Sequence, residues 1–156
     1  MKPKGILIKD RKKINGITVL DFSINDVFDL IGCGSDLNWA ILDLEVTGGD
    51  LGEKKWKQLM QFETSKEGVT QIAWDDIKET SKKFQQIIFI TLIGCKNPKS
   101  IKNYKNNSDM YKSCDIVIEV IDGGIFEVFS HDHALIDRLE KHFKDTEILA
   151  PDEQEI

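Results

Sequence analysis

Few residues are suited to chemistry, and none has the neighbours a reaction needs. His131-Asp132-His133 resembles a metal pair, to which Cys95 or Cys114 could add soft ligands. On a helix, however, side chains two residues apart diverge by about 200°, so both imidazoles cannot face one ion unless the segment is extended. Ser130 adjoins His131, and His142 follows about three turns on, yet adjacency along the chain is not hydrogen-bond geometry. No nucleophile elbow or cysteine-protease signature accompanies them. Gly48-Gly49-Asp50-Leu51-Gly52 could bring backbone amides to an anion, but it lacks the ending of a phosphate-binding loop, and Asp50 and Glu53 would repel phosphate. It reads as a strand-to-helix connection, or at most an acidic contact loop. No catalytic residue, metal or cofactor is expected, and the chain reads as a non-enzyme. The alternative is a small enzyme or ligand-binding domain built on the His131/His133 region.

Carboxylates inside strand-like runs are more informative. Asp43 and Glu45 alternate with Leu42, Leu44 and Val46, while Glu119 and Glu127 sit mid-run in Ile116–Ile121 and Ile125–Phe129. Charges are rarely buried unpaired, so these four acids should share one water-facing side of a sheet. Parity adds Trp39, Ile41, Val117, Ile121, Ile125 and Phe129 to that side. Such a mixture suits a binding face, in which apolar groups anchor and charges orient. The candidate partner-binding residues are therefore Trp39, Asp43, Glu45, Glu119, Glu127 and Phe129.

The elements that must position these residues follow from local patterns. Gly5–Ile8 and Ile17–Phe22 flank Lys12-Lys13-Ile14-Asn15-Gly16 and suggest a hairpin. Ser23 and Asp26 open a short helix that Gly32 stops. A half-buried strand runs to Val46, and Trp56, Leu59 and Met60 then recur at helical spacing to about Ser65. Val69–Ile72 forms a short strand, Asp75–Phe84 a helix and Gln86–Gly94 a central strand. Residues 96–112 hold five lysines and Pro98 and read as a solvated loop with a helical turn near Asp109–Cys114. Asp122-Gly123-Gly124 joins two strands, Ser130 caps a helix carrying Leu135, Ile136, Leu139 and Phe143, and Thr146–Leu149 closes the chain's structure. The result is an α+β fold in one domain over residues 1–150, with a mostly antiparallel sheet of about five or six strands and helices on one face. Residues 151–156 are an acidic tail.

Composition sets the outer limits. A chain of 156 residues, 40% apolar and 31% charged, can bury a core without metal or disulfide staples. The longest uncharged apolar run, Ile87–Gly94, falls short of the ~20 residues that cross a bilayer, and the apolar core Ile6-Leu7-Ile8 is too short for a signal peptide. Three cysteines, each near an apolar or glycine-flanked segment, suit reduced thiols and a cytoplasmic setting. The net charge of −6 is blocked: +5 over residues 1–20, −8 over 21–53, +6 over 54–114 and −9 over 115–156. This asymmetry argues against direct nucleic-acid binding through the acidic blocks and for attraction to something basic. No membrane partner is expected, and the oligomeric state is left open.

The run Ile125–Asp132 followed by Leu135, Ile136, Leu139 and Phe143 resembles the terminal strand-helix unit of small bacterial immunity proteins from polymorphic-toxin and contact-dependent inhibition systems. It covers about 25 residues of a generic pattern. The resemblance implies a cytoplasmic inhibitor of a cognate toxin domain, often a nuclease. That family shares no diagnostic motif, so it assigns no residue a role.

Overall fold

β-branched residues dominate the runs that become strands, and their side chains pack on both sides of one large sheet. The computed structural model describes residues 2–47, 69–84 and 86–150. Nine strands occur among them: β1 (Lys4–Ile8), β2 (Arg11–Ile14), β3 (Ile17–Leu20), β4 (Asn38–Thr47), β5 (Thr70–Ile72), β6 (Gln86–Cys95), β7 (Ile116–Ile121), β8 (Ile125–Ser130) and β9 (Thr146–Leu149). Four α-helices accompany them: α1 (Ile24–Phe28), α2 (Trp74–Ser81), α3 (Asn107–Ser113) and α4 (His133–His142). Seven strands form a fully antiparallel sheet in the order β5-β4-β6-β7-β8-β1-β9, while β2 and β3 pair separately. The fold is α+β, as the alternation of strands and helices implied. The Gly48–Gly52 loop, the helix from Trp56 and the acidic tail lie outside the described residues.

The two faces of the sheet have different covers. Ile6, Ile8, Leu92, Ile118 and Val128 meet the apolar stripes of α1, α2 and α4, through Val27, Phe28, Ile77, Leu135, Ile136 and Leu139. The opposite face buries Ala40, Ile93, Val117 and Phe129 beneath Met110 and Tyr111 of α3. Ile101 and Tyr104 pack on the same cluster, so the lysine-rich segment 96–106 lies against the sheet instead of being a purely solvated loop.

Local chemistry explains the element ends. The Ser23 amide donates to Asp26 Oδ2 at 2.8 Å at the start of α1, which ends at Phe28, four residues before the expected Gly32 stop. The N-terminal hairpin is β2–β3 around Asn15-Gly16, with β1 instead recruited between β8 and β9. The β7–β8 turn takes positive φ at Asp122 (53°) and Gly123 (69°), a geometry that matches the twist of paired strands. At α4, Asp132 and not Ser130 is the cap, since its carboxylate accepts from the Ala134 amide; Ser130 ends β8.

Asp10 fastens the start of the chain to its end. Its largely buried carboxylate accepts from the Lys144 amide at 2.9 and 3.0 Å and from the Asp145 amide at 2.7 Å. The Lys9 amide donates to the Asp145 carbonyl, which seats β9 beside β1. Hydrogen bonds to a charged acceptor contribute about 1.5–3 kcal/mol each, so Asp10→Ala is expected to cost about 2–4 kcal/mol in urea unfolding. A loss under 1 kcal/mol would mean that water replaces the carboxylate at little cost.

Candidate functional site

Strand register gathers carboxylates on the sheet face that α3 covers only in part. Asp43 lies opposite Thr91, Thr91 opposite Glu119, Glu119 opposite Glu127, Glu127 opposite Leu7, and Leu7 opposite Glu147. These six positions form one row across β4, β6, β7, β8, β1 and β9. Glu45, opposite Phe89, stands in the next row. The four acids picked out from the sequence thus share one face, and Glu147 joins them. Asp43, Glu45 and Glu147 are exposed, whereas Glu119 and Glu127 are half-buried. Among the described residues no lysine or arginine pairs with any of the five.

The row is electrostatically unfavourable to the fold. Glu119 and Glu127 are direct cross-strand partners, a placement that puts Cβ atoms about 4.5–5.5 Å apart. Burial raises the pKa of Glu119 against the opposing effect of Tyr111, whose hydroxyl donates to Glu119 Oε1 at 2.7 Å. Burial also raises that of Glu127, and the Glu119 charge adds to it. An acid whose folded pKa lies above its unfolded value favours the fold when protonated, and that contribution is lost as pH rises through the folded value. Glu127→Gln is therefore expected to raise stability at pH 7 by about 0.5–1 kcal/mol, the scale of a directly opposed like-charge pair. The gain should shrink as pH falls toward the ordinary glutamate value of 4.5. Urea midpoints at the two ends of that window measure it; a variant no more stable than wild type at pH 7 would remove the repulsion argument.

The expected apolar anchors are corrected. Trp39 is 2% exposed and Phe129 1% exposed, so neither is available to a partner. A register shift between Ile41 and Asp43 inserts an extra residue into β4, which reverses parity and sends Trp39 and Ile41 to the helix-covered face. There Trp39 Nε1 donates to the Gly34 carbonyl at 2.7 Å, and the indole stacks on Trp74. Phe129 keeps the expected face but lies under Tyr111, with ring centroids 3.9 Å apart. The half-exposed apolar groups near the acids are Leu7, Phe89, Ile121 and Ile125. Phe89 escaped sequence reasoning because Gln86–Gly94 is apolar on both parities. Alternation within Thr146–Leu149 could have revealed Glu147.

The histidines do not form a pair. His131 Nε2 donates to the carbonyls of Tyr111 at 3.1 Å and Lys112 at 3.0 Å, while His133 Nε2 donates to that of Lys2 at 2.8 Å. Exposed Cys33 lines the same cleft as His131, whose Nε2 is thus already engaged. Cys95 and Cys114 are buried; the hydrogen bond with Cys114, then burial, raises the Cys95 thiol's pKa and keeps it protonated. Among the described residues no group of three potential ligands could hold a metal ion.

Fold and site together define an α+β protein with a seven-stranded antiparallel sheet, one face of which carries an acidic row that no described lysine or arginine neutralises. Among the described residues no helix is long and apolar enough to cross a membrane. Compared with protein-family models, curated proteins and solved structures, the chain matches none.

Proposed function

We propose that this chain is an immunity-type binding protein that neutralises a cognate toxin domain with a basic surface, of which a nuclease is the leading case. The observation that carries the reading is the row of acids without a cationic partner among the described residues, two of them opposed across neighbouring strands at a cost to the fold. Retaining such repulsion is understandable where an external positive surface relieves it on binding. Leu7 within the row and Phe89, Ile121 and Ile125 beside it supply apolar area, while Asp43, Glu45 and Glu147 at the exposed positions steer encounter. Shielding the active site would follow from occupancy of a nuclease's positive cleft. The resemblance of the β8–α4 unit to immunity proteins points the same way.

The test begins with the neighbouring reading frames, one of which should encode a toxin domain, and continues with co-expression of that domain; neighbours without any toxin domain would overturn the reading. Wild-type protein should restore growth, and a variant with lysine at positions 43, 45 and 147 should not. Failure of the wild type to protect, or equal protection by the variant, would overturn the reading.

A further inference from the structure

A separate feature lies between the β2–β3 hairpin and the edge of the main fold. A pocket of about 480 Å³ opens there, a volume within the range of small-molecule sites. Leu20, Phe22, Phe84, Ile87 and Phe126 supply apolar walls, and among the described residues Arg11 is the only charged one that lines it. Arg11 thus sets one positive charge at the rim of an apolar floor.

The position of the arginine is built, not incidental. Its Nη1 donates to the Asp10 carbonyl at 3.3 Å and its Nη2 to the Gly124 carbonyl, so the guanidinium bridges from the hairpin to the β7–β8 turn. Two carbonyls neutralise no charge, and among the described residues no carboxylate pairs with Arg11. A guanidinium has five N–H donors in a fixed fork, which leaves three for a planar acceptor. The backbone also makes room: a Cβ at Gly124 would stand 3.1 Å from Arg11 Nη2.

We infer that this pocket binds a small carboxylate with an apolar body, such as a medium-chain fatty acid or an arylalkanoic acid, its carboxylate on Arg11 and its apolar body against Phe84, Ile87 and Phe126. A phosphate ester is a poorer fit, because a dianion would meet one cation and an apolar floor. The inference is independent of the acidic row and of any toxin partner.

Isothermal titration with decanoate, decanol and decylamine tests it on the full chain. Decanoate should bind at least tenfold more tightly than decanol, and decylamine more weakly than either. Arg11→Leu should reduce decanoate to the affinity of decanol while leaving decanol unchanged. Gly124→Ala, whose Cβ asks the guanidinium to give by a few tenths of an ångström and leaves its charge in place, should weaken decanoate less than Arg11→Leu does. Leu20→Trp, filling the pocket from the hairpin, should weaken both decanoate and decanol. Absence of decanoate binding, equal affinity for decanoate and decanol, or an unchanged preference in Arg11→Leu would each overturn the assignment. Arg11 is exposed, so its replacement is compatible with folding, and a matching circular dichroism spectrum checks this.

Discussion

Alanine at position 129 is expected to lower the unfolding free energy by about 3–5 kcal/mol, the cost of emptying a phenylalanine site in a packed interior. The ring is 1% exposed, stacked on Tyr111, and seated over a glycine it requires: a Cβ on Gly5 would stand 2.5 Å from Phe129 Cε1. Truncation removes the floor on which α3 rests, because Met110 and Tyr111 belong to the same buried cluster. Chemical denaturation measures the loss. Below the transition the variant should still bind a partner of the acidic face, since the ring itself does not reach the surface. A loss under 1 kcal/mol with strongly impaired binding would reverse that assignment and restore Phe129 as a contact residue.

Replacing Asp43, Glu45 and Glu147 together by lysine is expected to slow association with the proposed partner, a basic toxin domain, by about a hundredfold at low salt. That magnitude lies within the range separating electrostatically steered from unsteered encounters. The dependence of the rate on ionic strength should flatten at the same time, because screening acts on the attraction that has been removed. All three side chains are exposed and unpaired by described cations, so stability should change by no more than about 0.5 kcal/mol per site. Overall charge is controlled by lysines at Asp29, Asp75 and Glu140, exposed acids on or beside the helices of the opposite face. Stopped-flow rates for both variants decide: equal slowing would make the effect one of net charge, and no slowing in the first would remove the row from the interface.

The two variants probe opposite properties of one sheet face. Phe129 and Glu127 are two residues apart on β8 and point the same way, yet one is sealed and the other half-open. The boundary between them is the edge of α3, whose Tyr111 both stacks on the ring and donates to Glu119. A short helix thus divides the face into a structural part and a part left to the acids.

Local pattern was sufficient to read the α+β class, period-two alternation the strands, glycines the β7–β8 hairpin at Asp122-Gly123, and i, i+1, i+4 spacing the helix bearing Leu135, Ile136 and Leu139; the common face of Asp43, Glu45, Glu119 and Glu127 followed from the cost of burying unpaired charge and is realised by strand register. The fates of Trp39 and Phe129 were not legible from that pattern. A bulge in β4 reverses parity for Trp39, and a bulge arises from pairing with β6 rather than from β4 alone. Phe129 is closed over by a helix that precedes its strand by a dozen residues; a helical turn near Asp109–Cys114 was legible, but not that it packs on the sheet. Glu147 entered the row, and Arg11 found the Gly124 carbonyl, through strand order and hairpin placement. Local composition therefore determined which elements form and which side of each strand is charged; only the long-range register and packing decided which of those side chains remain within reach of another molecule.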